Sequence, residues 1–276
     1  MGSVDRRWLS EWTSGEVASF DFSDSPVVIS TSAFEQHGRD TMPLGTDYYL
    51  AKGLVAHTLA AMKPTDPGLF LPPVPFGYSP EHTHFAGTIT LGYQTYLSLM
   101  LDIAASLALC GVKKVLVLNF HGGNPPLNQI AIMEMRNRHG IIAAEYNYAR
   151  DVSLASKLFG EQEASYGYHA GAAEFALGLF LFPELLGHVK RGNYPSAFVD
   201  VDRSLKTLRM GSGVSSIAWH TENANPTGAI GNSLKVTADQ GKALADDVAA
   251  KIISVLQDLN SSALAQSQHQ APSAAK

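Results

Sequence analysis

The chain has 276 residues, 45% of them hydrophobic, enough to bury a sizeable core in one large α/β domain or two small ones. A formal charge of −5, a pI near 6.0 and the lack of any Lys/Arg-rich stripe exclude the basic field that a phosphate backbone needs, so nucleic acid is not an expected partner. The single cysteine, Cys110, cannot close an intramolecular disulfide, and a reducing, cytoplasmic compartment fits.

Taken in chain order, the first residues lack the unbroken apolar run of a secretory signal, so no export is expected. Residues 25–34 (SPVVISTSAF) are rich in β-branched side chains and predict a buried strand, followed by a polar, glycine-containing loop to Asp47. Asp47 stands where an N-cap belongs, ahead of a helix through Met62. Residues 68–78 form a Pro/Gly-rich crossing segment. Residues 93–110 predict a long helix stopped by Gly111, and 113–120 (KKVLVLNF) a fully buried strand. A helix over 127–137 and an apolar segment over 141–146 follow. This alternation of helix and strand predicts an α/β fold with a mainly parallel sheet and helices on both faces. Two more helices are expected over 171–186 and 238–259, the latter with amphipathic spacing at Leu244, Val248, Ile252, Val255 and Leu259. The most apolar stretch, 175–186, is interrupted by Pro183 and is too short to cross a bilayer core of roughly 30 Å, so no membrane span is expected. The whole reads as one domain over 1–260, with the Ser/Ala/Gln-rich residues 261–276 expected to be disordered.

Four segments carry residues capable of chemistry. Glu35-Gln-His37, with Asp47 at the far end of the same loop, directly follows a strand, where open α/β sheets present their ligand crevice. Carboxylate and imidazole together suit zinc, iron or manganese, although a capped helix beside a surface Glu and His would leave the same trace. Asn119-Phe120-His121-Gly122-Gly123-Asn124 ends the second strong strand. Its glycines admit close backbone approach and free N–H groups for developing negative charge, while the plainer reading is a strand-to-helix turn. In His169-Ala-Gly-Ala-Ala-Glu174 the carboxylate enters an apolar helix, where it needs a cation or strong donors unless it only favours the helix N-terminus. His169 there is either an acid/base group or a surface residue. The segment from Tyr78 through Glu81, His82 and His84 could bind metal, but its Pro and Gly content reads better as a loop covering substrate. His57, His139, His188, His220 and His269 have no ligand-type neighbours at useful spacing and are expected to be structural or exposed.

In this order the motifs Glu-x-His-Gly…Pro-Leu-Gly-Thr-Asp, Ser-Pro-Glu-His…Gly-Thr, Asn-x-His-Gly-Gly-Asn and His-Ala-Gly…Glu resemble the creatininase (creatinine amidohydrolase) family, and 226–232 looks like its later loop. The resemblance implies a layered α/β/α domain, usually a homohexamer, that hydrolyses small, often cyclic, non-peptide amides with two divalent metals. Zinc is the first choice, with iron or manganese as alternatives. It implies that Glu35, Asp47 and His121 hold one metal and that His37, a bridging Asp47 and Glu174 hold the other. A metal-activated water would attack the carbonyl. His169 would protonate the leaving nitrogen, with Glu174 also in the catalytic group, and the 122–124 backbone, Asn124 included, would help hold the oxyanion. Tyr78, Glu81, His82, His84, Gly122 and Gly123 would contact substrate. Three departures stand out. The loop between Glu35 and Asp47 is one residue longer than the family pattern, Gly122-Gly123 replaces the Tyr-Glu pair of true creatininases, and Ala172, Phe175 and Ala176 replace polar residues at the helix opening. Relatives with the Gly-Gly variant include a deformylase and a peptide-maturing peptidase, so a peptidase or lactonase remains the alternative, with a non-enzymatic anion-binding or scaffold module behind it.

Overall fold

The computed structural model describes residues 6–210 and 215–266. Four parallel strands, β1 (Val27–Thr31), β2 (Leu69–Phe70), β3 (Lys114–Asn119) and β4 (Ile142–Asn147), form the central sheet in the order β2-β1-β3-β4. The crossing segment 68–78 therefore contributes an edge strand that its Pro and Gly content conceals. Register places Thr31 opposite Asn119, and Asn119 opposite Asn147. The chain thus leaves β1 and β3 side by side, and the two histidine-bearing motifs emerge at the same end of the sheet.

Both sheet faces are covered, which is why the strand sequences are continuously apolar. Val28, Leu116 and Leu118 pack on one face against α2 (Thr46–Ala61), α7 (Ala172–Leu181) and α10 (Ala238–Ser261). Val27, Ile29, Val115 and Val117 pack on the other against α3 (Tyr93–Leu109) and α4 (Pro125–His139). The expected α/β/α layering is present. Shorter helices complete the chain: α1 (Ser14–Ser19), α5 (Ser153–Phe159), α6 (Glu161–Tyr166), α8 (Phe198–Ser204) and α9 (Thr221–Ala224). Strands β5 (Asn193–Tyr194) and β6 (Gly231–Asn232) pair antiparallel apart from the main sheet.

Several boundaries differ from expectation for identifiable reasons. Gly45, not Asp47, is the N-cap of α2, so Asp47 enters the first turn, where its carboxylate points inward instead of capping. Helix α4 begins at Pro125, whose fixed φ and missing N–H suit a first helical position. Helix α7 stops at Leu181, because Pro183 disfavours helical backbone in the residue before it, and a 3₁₀ turn, Pro183–Leu185, follows. Of the tail expected to be disordered, Ser261 closes α10 and Ala263–Gln266 form a 3₁₀ turn, while 267–276 lie outside the described residues. No helix among the described residues is long and apolar enough to cross a membrane.

Helices α7 and α10 approach so closely that a Cβ on Gly241 would fall 1.9 Å from the Ala176 carbonyl oxygen. Since α7 carries Glu174, this contact also sets the position of that carboxylate. Gly241→Ala is expected to lower unfolding stability by about 1–3 kcal/mol in a urea titration, and an unshifted midpoint would count against so tight a contact.

Candidate metal centre

Beyond β1 the chain turns back on itself: the Glu35 N–H donates to the Leu44 carbonyl over 2.9 Å, and the Met42 N–H to the His37 carbonyl over 3.1 Å. This turn brings Glu35 and His37 against the first turn of α2, where Asp47 lies, and against His121 beyond β3. Asp47 presents one oxygen to each histidine: Oδ1 is 3.2 Å from His37 Nε2 and Oδ2 is 3.2 Å from His121 Nδ1. Glu35 Oε2 is also 3.2 Å from His121 Nδ1, and Glu174 Oε2 is 4.0 Å from His37 Nε2. Two triads result, Glu35/Asp47/His121 and His37/Asp47/Glu174, each with ligand atoms within 4.8 Å of one another and sharing Asp47. Glu174, with 14% of its side chain exposed, supplies the solvent-facing edge of an otherwise buried cluster.

Each imidazole is held in one tautomer by a backbone carbonyl. His37 Nδ1 donates to the Glu35 carbonyl at 3.2 Å and His121 Nε2 to the Tyr78 carbonyl at 3.0 Å. The nitrogen facing the carboxylates is therefore the one that can offer its lone pair to a metal. Glu35 Oε2, Asp47 Oδ2 and His37 Nε2 are buried without a hydrogen-bond partner. Buried polar atoms left unpartnered in this way are costly unless a cation satisfies them, and three carboxylates with two imidazoles suit zinc, manganese or iron. The residues present fit a pair of divalent cations.

His169 Nε2 donates to the Gln36 carbonyl at 2.6 Å, and its Nδ1 stands 3.8 Å from Glu35 Oε1. Its ring stacks between those of His37 and His82, at centroid separations of 4.2 and 4.3 Å. Burial, reinforced by the charge of His37, pushes the His169 pKa well below the ordinary histidine range; burial and the neighbouring histidines do the same to His82. Burial also works against the charged form of His37, but the Asp47 carboxylate 3.2 Å away and the neighbouring Glu174 and Glu35 outweigh it and raise its pKa to about 9 in the cation-free chain. Burial, partly offset by the charge of His37, raises Glu174 to about 7.

The creatininase family, described as creatinine amidohydrolase, matches residues 10–256. The chain belongs to the creatininase family. It is 28% identical over 254 residues to a mycofactocin precursor peptide peptidase of Mycobacterium ulcerans (strain Agy99), covering 86% of this chain and 90% of that protein. A candidate creatinine amidohydrolase from Bacteroides fragilis NCTC 9343 shares the fold at a TM-score of 0.73 with 24% identity, over 98% of this chain and 99% of that one. A mutant creatininase of Zn–Zn type does so at a TM-score of 0.71 with 20% identity, over 94% and 100% of the respective chains.

The Asn124 backbone N–H, expected to help hold an oxyanion, donates to the His121 carbonyl at 3.4 Å, and its side chain is engaged as well. Its Nδ2 donates to the Ser32 carbonyl at 3.2 Å and to Asn119 Oδ1 at 3.1 Å, and its Oδ1 accepts from the Tyr78 N–H at 2.9 Å. The side chain is fully buried and its polar atoms are committed, so it braces the strand ends instead of reaching toward substrate. Gly123 admits the Tyr78 segment: a Cβ there would lie 2.2 Å from the Tyr78 carbonyl oxygen and 2.8 Å from Glu81 Oε1. Glu81 fills the space beside Gly123, 3.6 Å from His121 Nε2, and its carboxyl is raised to about 7, chiefly by burial. His82 Nε2 lies 3.3 Å from Glu35 Oε1, inside the cluster, whereas His84 is exposed and pairs with Glu222.

Sequence reasoning passed over Gln36, which lies inside the Glu-Gln-His motif. Its Oε1 accepts from the Gly38 N–H at 2.7 Å, so its Nε2 is the donor, reaching the Gly228 carbonyl at 3.1 Å and His82 Nδ1 at 2.8 Å. That bond leaves the His82 proton on Nε2, toward Glu35. The only available signal was adjacency to two ligand-type residues.

Asn124→Ala is expected to cost about 2–4 kcal/mol, measured by urea unfolding, because it strands buried partners on three segments; a cost under about 0.5 kcal/mol would contradict the bracing role. The cation-free chain should also lose stability as pH rises from about 7 to 10. The His37 pKa of about 9 exceeds the 6.5 of an unfolded histidine, so its stabilising charge is fully present below 6.5 and is lost on passing 9. Melting temperatures in chelator across that range provide the check, and a flat profile would place His37 in its neutral form.

Proposed function

We propose that the chain is a metal-dependent hydrolase of amide C–N bonds. The observation that carries this reading is the shared Asp47 carboxylate, flanked by buried Glu35 and His37 atoms that lack hydrogen-bond partners. Glu35, Asp47 and His121 would hold one divalent cation, and His37, Asp47 and Glu174 the other. Fold relatives include a creatininase of Zn–Zn type and a manganese creatininase, which supports zinc or manganese. Divalent cations at such a site supply Lewis acidity and a lowered water pKa near neutral pH.

The chain's own groups do the rest. His169, neutral and with its Nε2 proton committed to the Gln36 carbonyl, offers Nδ1 as the atom that takes a proton from the attacking water and returns it to the leaving nitrogen. A C–O bond forms at the carbonyl carbon as the C–N bond breaks, and the proton finishes on the amine. The His82 Nε2–H, oriented by Gln36, holds Glu35 in place. Glu81 lies against His121 at the edge of the cluster, and with Tyr78, Gly122 and Gly123 it would contact substrate.

The restriction to non-peptide amides loses its support, because the Mycobacterium ulcerans relative is named as a peptidase of a precursor peptide. A small cyclic amide, a short peptide and a lactone are therefore tested together. Anion binding is disfavoured, since three carboxylates line the cluster and would repel a phosphate. A cytoplasmic setting fits Cys110, which is exposed and unpaired. A homohexamer fits the exposed apolar residues Ile130 and Met133 on α4.

Elemental analysis of protein purified without chelator is expected to show two fewer transition-metal ions per chain in Asp47→Ala than in the native chain, with turnover lost alongside them. An unaltered metal content in that variant would remove the bridging role. His169→Ala should keep its metal while the rate on the best substrate falls by a factor on the order of 10² to 10⁴. An unchanged rate would take His169 out of the proton path.

A further inference from the structure

We propose that His84, His220 and Glu222 form a second, solvent-open site for a divalent transition-metal ion of the zinc class, separate from the buried cluster. The three come from distant parts of the chain: His84 from the segment after the 3₁₀ turn Pro80–His82, His220 immediately before α9, and Glu222 within it. His84 Nδ1 and His220 Nδ1 face one another at 3.2 Å, and His220 Nδ1 stands 3.8 Å from Glu222 Oε1, which also makes a short contact with His84 Nδ1. All three ligand atoms lie within 4.8 Å of one another.

The arrangement is poorly suited to a plain surface ion pair. Two imidazole nitrogens facing at hydrogen-bond distance need one proton between them, and the carboxylate oxygen beside both competes for that proton. The other carboxylate oxygen, Glu222 Oε2, is buried and has no hydrogen-bond partner. A cation equidistant from the three atoms removes the conflict. Metal–nitrogen and metal–oxygen distances of about 2.0–2.2 Å in a tetrahedral centre place ligand atoms about 3.3–3.6 Å apart. Two of the separations, 3.2 and 3.8 Å, bracket that range, and the short His84–Glu222 contact must open by a side-chain rotation to admit the ion. With His84 54% and His220 46% exposed, a fourth position stays open to water, which makes this an exchangeable site.

The location suggests its use. Thr221, between the two ligands contributed around α9, is buried; its hydroxyl donates to the Glu81 carbonyl at 2.9 Å and lies 2.8 Å from His82 Nδ1. His84 is two residues beyond His82, whose ring faces Glu35. An ion held by His84, His220 and Glu222 therefore clasps the Glu81–His84 segment to α9 at the rim of the buried cluster, and it restrains His82 without touching the catalytic ligands.

Equilibrium dialysis of the full-length chain against zinc, counted by elemental analysis, tests the proposal. Native protein should hold one more ion per chain than Glu222→Gln or His220→Ala, whatever number the buried cluster retains. Glu222→Gln keeps the shape and hydrogen-bonding capacity of the side chain, so a circular dichroism spectrum matching the native one separates ligand loss from misfolding. His57→Ala, which removes an exposed histidine elsewhere, should leave the count unchanged. Adding zinc should raise the native melting temperature by more than that of Glu222→Gln. Equal zinc content in native protein and both site variants would overturn the proposal, as would an equal loss in His57→Ala.

Discussion

A single carboxylate organises this site. Asp47 turns one oxygen to His37 and the other to His121, at 3.2 Å each, so the loop after β1, the start of α2 and the end of β3 must all meet at one side chain. Because Gly45 takes the cap position, the aspartate lies one step inside the helix, where the unsatisfied N–H groups of the first turn favour negative charge. The sheet register, with Thr31 opposite Asn119, sets the distance that the carboxylate spans.

Gathering Glu35, Asp47, Glu174 and four histidines in a mostly buried space demands a rigid surround. Backbone carbonyls of Glu35, Gln36 and Tyr78 fix His37, His169 and His121, and the side chains of Asn119, Asn124, Gln36 and Thr221 tie these segments to one another. Local strain is accepted in the same place. Ala170, between His169 and α7, has a φ of 54°, unusual for a residue with a Cβ, and its N–H donates to Glu174 Oε2 at 2.6 Å. The backbone bends there so that a histidine and a glutamate five residues apart face the same cluster.

Much of this was legible in the residues. Continuous β-branched runs marked β1 and β3, and a sheet that alternates with helices places strand ends in one crevice, so the strand-end motifs around Glu35 and His121 were read as neighbours in space. Glu174 stood out because a carboxylate in an apolar helix needs a partner. Other roles were hidden. Asp47 before an apolar helix carries the same signature whether it caps the helix or points inward, and the difference is two residues of helix start. Asn124 in a glycine-rich turn reads as a backbone donor, and no local pattern shows that its side chain ties Ser32 to Asn119. His220 showed no local partner because His84, its neighbour in space, is 136 residues away in the chain.

The sequence by itself determined the α/β class and the layering of helices on both sheet faces, and it marked Glu35, His37 and His121 as strand-end candidates, because hydrophobic periodicity and strand-end position are local properties of the chain. Only the tertiary structure decided which nitrogen of each histidine faces inward, which polar side chains are committed to bracing, and that Glu81 occupies the space beside Gly123. Those outcomes depend on hydrogen bonds and close contacts between segments far apart in sequence, and no local pattern encodes which partner a side chain will meet.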